Sequence, residues 1–185
     1  TCEFGGALIL MDTQKQALIS KIKLPTTFTK DPMPQDIKLS PDGKTFFIAD
    51  MMSNGLWVMP SNHFGSFTFI RTGKDAHGLY VTRDSKFLLI TNRGEGSVSE
   101  MRFADKKLVA KWKIPGGGSP DMGGITADGK QFWVSGRYNG VVYVFDIEKG
   151  KFLRKIVELN IGILVAEIRK TDPKFLKKKI YTFYY

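Results

Sequence analysis

The chain has 185 residues, of which 42% are hydrophobic, and a formal net charge of +10 at pH 7. This apolar content predicts a folded body, and no run approaches the ~18 apolar residues that a membrane-spanning helix needs. The single cysteine, Cys2, excludes an internal disulfide and a multi-cysteine zinc site, because both require several thiols.

The first predicted elements are two strands within residues 7–24. They match residues 141–156 near the other end of the sequence, with Asp12 and Asp146 in corresponding places. The two aspartates are 146 − 12 = 134 residues apart, about three times the spacing expected of a repeated blade. We therefore interpret residues 7–24 as the outer half of a repeat unit.

A turn motif then occurs three times along the chain. The copies are Ser40-Pro41-Asp42-Gly43-Lys44, Thr82-Arg83-Asp84-Ser85-Lys86 and Thr126-Ala127-Asp128-Gly129-Lys130. The aspartates are 84 − 42 = 42 and 128 − 84 = 44 residues apart, within the range typical of propeller blades. The Asp side chain bonds its own backbone and Gly accepts positive φ, so each copy predicts a tight turn.

Each turn is flanked by strand-forming sequence. A short apolar segment precedes it, a β-branched or aromatic run follows it, and a second turn comes next at Asn54-Gly55, Glu95-Gly96 or Asn139-Gly140. A further strand, an Asp- and Lys-rich turn and an outer strand complete the unit. The sequence thus predicts an all-β propeller of four-stranded antiparallel blades: the half-blade 7–24, whole blades at 34–71, 76–114 and 120–156, and a tail.

The tail, 157–185, carries most of the clustered positive charge. Its part from Glu167 to Tyr185 holds two acidic residues, Glu167 and Asp172, and six basic residues, Arg169, Lys170, Lys174, Lys177, Lys178 and Lys179. We expect it to contact acidic surfaces, whereas the remaining lysines mostly mark turns and argue against nucleic-acid binding.

Two structures are compatible with the tail sequence. Asp172 lies 44 residues after Asp128, which favours a degenerate inner half-blade, but the apolar spacing from Val157 to Ile168 equally suits one face of a helix. An inner half-blade would complete the N-terminal half and close a four-bladed ring. Otherwise the chain is a fragment of a larger ring.

The repeats resemble the YVTN-type β-propellers, named for a Tyr-Val-Thr-Asn strand ending. Ile90-Thr91-Asn92 keeps most of that ending, and Ser40-Pro41-Asp42-Gly43-Lys44 is similar to the turn before it. The resemblance implies a ring that is usually seven-bladed and a location outside the bacterial cytoplasm, periplasmic or secreted. Some relatives are lactonases or carry haem in a reductase, so haem or a divalent metal is implied by the resemblance alone; the residues themselves predict no cofactor.

Polar residues recur where the blades should line the mouth of the central channel. They lie about seven residues before each turn Asp or eight to nine after it: Gln35, Asp36, Asp50, His77, Asn92, Arg93, Asp121 and Arg137. Arginines favour a polar or anionic ligand, and His77 would serve as a proton donor or as an axial ligand of a metal or haem. The alternative is that these side chains only bond the backbone of neighbouring loops.

No catalytic set is recognisable. Gly-x-Ser-x-Gly is absent, and two lone histidines, His63 and His77, form a poor metal set, so no metal site is predicted. We therefore predict a binding or interaction module for a protein or a small polar or anionic ligand, and favour this over an enzyme. The alternative is an enzyme of the lactonase or haem-reductase type that uses the same face.

Overall fold

A computed structural model describes residues 1–157 of the chain. Over these residues it contains fourteen strands and one turn of 3₁₀ helix, Glu3–Gly5. The strands are β1 (Ala7–Asp12), β2 (Ala17–Lys23), β3 (Pro34–Leu39), β4 (Thr45–Asp50), β5 (Gly55–Pro60), β6 (Thr68–Arg71), β7 (Ala76–Val81), β8 (Phe87–Asn92), β9 (Ser97–Arg102), β10 (Lys107–Lys113), β11 (Pro120–Ile125), β12 (Gln131–Gly136), β13 (Val141–Asp146) and β14 (Lys151–Val157).

The strands form one two-stranded and three four-stranded antiparallel sheets, each in chain order. The sheets are β1–β2, β3–β6 (blade 1), β7–β10 (blade 2) and β11–β14 (blade 3). This confirms the predicted fold class, an all-β propeller segment with a half-blade followed by three whole blades. The two structures considered for the tail concern residues beyond those described.

The repeated turn has the same hydrogen bonds in all three blades. Asp42 accepts from the backbone N–H of Lys44, and the hydroxyl of Ser40 donates to the Asp42 carboxylate. Asp84 and Asp128 accept equivalent bonds from the residues at the same positions of their own turns. The three aspartates therefore have equivalent surroundings, as a true structural repeat requires.

One position of this turn is strained in blade 2. Gly43 and Gly129 have φ of +72° and +74°, and Ser85 takes the same position with φ +61°. We expect Ser85→Gly to raise the free energy of unfolding by about 1 kcal/mol, because the left-handed conformation is costly for a residue with a Cβ. Chemical denaturation would measure the change.

Gly43→Ser provides the matched reverse change. A Cβ at Gly43 would meet no atom within 4 Å, so that substitution introduces backbone strain without a clash. It should destabilise the protein by a similar amount, and stabilisation by Gly43→Ser would contradict this explanation.

The hydrophobic core lies between successive blades. Phe47 and Leu56 of blade 1 pack with Leu79 and Leu88 of blade 2, all of them fully buried. Blade 2 packs against blade 3 through a second cluster that includes Trp112, and the half-blade packs on blade 1 through Leu8 and Leu24 and their neighbours. Each of these three junctions thus buries a face of both units that form it.

The chain direction places two kinds of loop on one face of the stack. The loops at 51–54, 93–96 and 137–140 join second to third strands, and those at 72–75 and 114–119 lead into the next blade. We call this the mouth face, since the innermost strands β3, β7 and β11 begin there. The three Asp turns lie on the opposite face.

Each innermost strand is irregular where it begins on the mouth face. The register shifts between Pro34 and Ile37, and likewise between Ala76 and Leu79 and between Pro120 and Gly123. An extra residue in one strand of a pair forms a β-bulge, which redirects side chains away from the regular ladder. The second residues of these strands, Gln35, His77 and Asp121, lie within the bulges.

Candidate functional site

Four of the predicted residues meet on the mouth face around the carboxylate of Asp121. Its Oδ1 lies 3.2 Å from Arg93 Nη1 and 3.1 Å from His77 Nδ1, and its Oδ2 lies 3.6 Å from Arg137 Nη1. The side chains of Asp121, Arg93 and His77 are 5%, 11% and 13% exposed, whereas that of Arg137 is 58% exposed. The cluster is thus a buried acid with one accessible cation beside it.

The two arginines occupy the same position in successive blades. Each directly follows the second strand, and its backbone N–H donates to the residue before the first strand, Arg93 to Asp75 O and Arg137 to Ser119 O. The Arg93 guanidinium also lies 5.8 Å from the ring centroid of Tyr138, a distance typical of a cation–π contact. Met51 takes this position in blade 1, so the positive charge belongs to blades 2 and 3.

His77 is held in its neutral form. Burial lowers the pKa of its imidazole, and the nearby Asp121 carboxylate only partly offsets that effect. Its Nδ1 is close to Asp121 Oδ1 but is not aligned for a hydrogen bond, so within residues 1–157 this buried atom has no hydrogen-bond partner. A buried polar atom without a partner is costly and can be satisfied by a bound molecule.

The charges of the cluster favour an anion. Two positively charged guanidinium groups contact a single carboxylate, and the neutral imidazole adds no charge. The cluster therefore carries an excess of positive charge. Arg93 is already bound to Asp121, whereas Arg137 has a longer contact and an exposed side chain. The donors of Arg137 are therefore available to a carboxylate or phosphate, which planar guanidinium groups bind well.

Gln35 and Asp36 lie on the same face but outside this cluster. The Gln35 amide donates to Glu3 Oε1 at 3.1 Å and to Met33 O at 3.2 Å. Asp36 Oδ2 accepts from the backbone N–H of Leu79 at 3.0 Å. Asp36 therefore ties the innermost strand of blade 1 to that of blade 2.

Asp50 and Asn92 are fully buried within the loops of their own blades. Asp50 accepts from the backbone N–H of Met33 and from Trp57 Nε1, both at 2.9 Å, and from the hydroxyl of Ser53. In blade 2 the amide of Asn92 accepts from Thr72 and donates to Ser97 and Ser99. Their polar atoms already have hydrogen-bond partners within the protein, so neither residue is part of the candidate ligand site.

Asp50 and Asn92 occupy the same position in blades 1 and 2, and each has a hydrogen-bond partner that suits its own side chain. Trp57, seven residues after Asp50, offers only a donor and suits an acceptor-only carboxylate. Ser99, seven residues after Asn92, accepts from the amide. In blade 3 the pair is Gly136 and Tyr143, where a Cβ on the glycine would come within 2.8 Å of the tyrosine ring.

Three residues that position the cluster escaped the sequence analysis. Thr91 Oγ1 donates to Asp121 O at 3.0 Å and accepts from the N–H of Gly78 at 2.7 Å. Tyr80 OH accepts from the N–H of Gly123 at 2.7 Å, and burial raises the pKa of its phenol. Tyr138, whose ring lies beside the Arg93 guanidinium, is the third. Its position directly after Arg137 was the only feature of the sequence that could have indicated its place in the cluster.

Among residues 1–157, no three His, Cys, Asp or Glu side chains come together in a way that could hold a metal ion. The only carboxylate in the cluster is already surrounded by cationic and imidazole groups, which disfavours a divalent cation there.

The described part of the chain has no helix long and apolar enough to cross a membrane.

The sequence matches a model of YNCE-like β-propellers over residues 8–166. No curated protein sequence matches the chain.

Solved structures with the same fold include enzymes of several kinds. The periplasmic gluconolactonase of Pseudomonas aeruginosa is 15% identical, with a TM-score of 0.65 over 82% of this chain and 50% of its own. The dihydro-heme d1 dehydrogenase NirN is 19% identical, with a TM-score of 0.65 over 85% and 35%. Hydrazine synthase of Kuenenia stuttgartiensis is 25% identical, with a TM-score of 0.61 over 74% and 39%. The chain thus spans between a third and a half of each of these proteins.

Proposed function

Because the chain belongs to the YNCE-like β-propeller family, we propose that it is a binding module whose mouth face holds a small anionic ligand. Arg137 is the residue that contacts the anion. Arg93 and Asp121 fix the position of the site, and His77 offers a further polar contact. The observation that carries this proposal is the exposed guanidinium of Arg137 beside the buried Asp121 carboxylate.

Two features support a ligand over a purely structural cluster. The buried Nδ1 of His77 has no hydrogen-bond partner among the described residues, although it lies 3.1 Å from Asp121 Oδ1. Arg137 also has a contact of 3.6 Å to Asp121, longer than that of Arg93, and keeps more than half of its side chain exposed. A cation placed only for stability would gain little from such an exposed arrangement.

A sugar acid is the ligand class that we favour. Its carboxylate would bind the guanidinium of Arg137, and its hydroxyl groups would satisfy His77 and the neighbouring backbone groups. The gluconolactonase of Pseudomonas aeruginosa, which has the same fold, acts on the lactone of such an acid, as its name states. That protein is periplasmic, and we propose an extracytoplasmic location for this chain too.

The proposal predicts that gluconate binds and that Arg137→Ala weakens its binding at least tenfold. Loss of a hydrogen bond to a charged group costs about 1.5–3 kcal/mol, which corresponds to that factor. Isothermal titration calorimetry would measure the affinity, with inorganic phosphate as a second anion. Arg102→Ala is the matched control, because Arg102 is a comparably exposed arginine paired with Asp105 on the opposite face.

The affinity of the Arg102→Ala variant for gluconate should equal that of the unchanged chain. If gluconate and phosphate fail to bind the unchanged chain, or if both variants lose the same affinity, the binding proposal is wrong.

A second candidate function is lactone hydrolysis at the same cluster. The observation in its favour is a neutral, buried imidazole, which is the form that can act as a general base toward water. Hydrolysis of gluconolactone that His77→Gln abolishes, with gluconate binding retained, would support this function. The haem role of His77 stays a prediction; it draws on the fold that the chain shares with NirN.

A further inference from the structure

The imidazole of His77 is placed to respond to protonation. Its side chain is 13% exposed, and its Nδ1 lies 3.1 Å from Asp121 Oδ1 without forming a hydrogen bond. That separation is already within the range of an N–H···O bond. A protonated imidazole has an N–H on both ring nitrogens, so a small rotation of the ring would let it donate to Asp121.

Burial keeps His77 neutral, because the charges around it are of both signs. The lowering of its pKa by burial is the largest effect on the imidazole. Asp121 and Glu3 raise the pKa, whereas Arg93 and Arg137 lower it. A further negative charge at the cluster would therefore favour the protonated form.

The other charged residues of the elements around β7 are engaged elsewhere or offset each other. In blade 1, Asp36 pairs with Lys38 at 3.2 Å, and Asp50 accepts hydrogen bonds inside its own loop. The loop before β7 contributes one cation and one anion, Lys74 and Asp75. Within residues 1–157, the charges that act on His77 are therefore the four named above.

An anion bound to Arg137 would shift this balance in one direction. Its charge would offset that of the guanidinium, which is one of the two cations that disfavour protonation of His77. Conversely, protonated His77 would add a third cation to a cluster with two guanidinium groups and one carboxylate. The two effects are equal in free energy, because coupling between binding sites is reciprocal.

We propose that binding of an anion at the mouth face is coupled to the uptake of a proton by His77. This inference rests on the proposed function and adds that the site binds its ligand more tightly in mild acid than at neutral pH. The protonated imidazole donates to Asp121 Oδ1, and the donors of Arg137 are left for the anion. A carboxylate ligand stays ionised down to about pH 5, so its own protonation does not oppose the effect.

The pH range follows from the two states of the site. In the free chain the pKa of His77 lies below its ordinary value, and in the complex it lies higher. Above the pKa of the complex, His77 is neutral in both states and the affinity does not depend on pH. As the pH falls from that value toward the pKa of the free chain, the complex holds more protons than the free protein, so the affinity increases.

Calorimetric titration of the full chain with gluconate tests this coupling at about pH 7.5 and about pH 5.5, on either side of the ordinary pKa of histidine. Two buffers of different ionisation enthalpy at each pH give the number of protons taken up. We expect the affinity to be at least about fivefold higher at the lower pH, the low end of typical coupling between two sites. His77→Gln should remove this ratio and the proton uptake.

His63→Gln is the matched control. His63 is the only other histidine of the chain, and it is exposed in the loop 61–67 on the face opposite the mouth face. This variant should keep the pH dependence of the unchanged chain. It also leaves a single histidine signal in the NMR spectrum, whose pKa should rise when gluconate is added. That measurement leaves His77 in place, so it decides the question if His77→Gln fails to fold.

The outcomes separate this inference from the function on which it rests. Equal affinity of the unchanged chain at the two pH values would overturn the coupling and leave the binding function intact. Failure of gluconate to bind at either pH would contradict the proposed function, and the coupling with it. A pH dependence that persists in His77→Gln, or that His63→Gln removes equally, would assign the proton to another group.

Discussion

Asp121→Asn is expected to lower the free energy of unfolding by about 3 kcal/mol, because it leaves a buried guanidinium without its counter-charge. Arg93 is 11% exposed, and its contact with Asp121 is its one ion pair within residues 1–157. The substitution keeps the size of the side chain, so lost packing contributes little. Chemical denaturation monitored by tryptophan fluorescence would measure the effect.

Asp105→Asn is the control for this prediction. Asp105 also pairs with an arginine, Arg102, at 2.9 Å, but both side chains are at least a third exposed. Exposed ion pairs contribute about 0–1 kcal/mol, so the control should be close to neutral. Equal effects of the two substitutions would show that the burial of the Asp121 cluster has no energetic consequence.

Asp50→Ala should destabilise the protein at least as strongly, by more than about 3 kcal/mol. It would remove the acceptor for Trp57 Nε1, for the Ser53 hydroxyl and for the Met33 N–H. Trp57 and Ser53 are 3% and 1% exposed, so water cannot replace the lost acceptor without rearrangement. Each buried donor left unpaired costs about 1–3 kcal/mol.

Asp12→Ala makes the same chemical change at an exposed turn. Asp12 accepts from the N–H groups of Gln14 and Lys15, both exposed. We expect a loss below about 1 kcal/mol, because water can bond these groups instead. A loss for Asp50→Ala no larger than this would contradict the role that we assign to the buried network.

The fold could be predicted because its signals are local and repeated. The Asp-Gly-Lys turns and the Asn-Gly hairpins are short motifs whose hydrogen bonds lie within a few residues of sequence. Their recurrence about every 43 residues then fixes the four-stranded unit without knowledge of any long-range contact.

The site was only partly predictable from the sequence. Register placed His77 and Asp121 at equivalent positions, and the structure brings the two side chains within 3.1 Å of each other. The same register gave no means to separate these residues from Asp50 and Asn92, which are buried by their own loops. That distinction depends on which partner lies nearby, and Arg93 and Asp121 are 28 residues apart in different blades.

The role of Asp36 was hidden for the same reason. Its carboxylate bonds Leu79, 43 residues away, across the junction between blades 1 and 2. In the next junction Tyr80 makes the corresponding bond to Gly123 with a phenol instead of a carboxylate. A comparison of repeat sequences cannot recognise an equivalence between such different side chains.

A double-mutant cycle between Asp121 and Arg93 tests the central claim most directly, namely that successive blades bring these residues together in one buried cluster. The four proteins are the unchanged chain, Asp121→Asn, Arg93→Gln and the double variant, and the quantity measured is the free energy of unfolding. We predict a coupling free energy of at least about 1.5 kcal/mol, as expected for residues in one ion-pair network. A coupling below about 0.5 kcal/mol, typical of independent distant sites, would contradict the account.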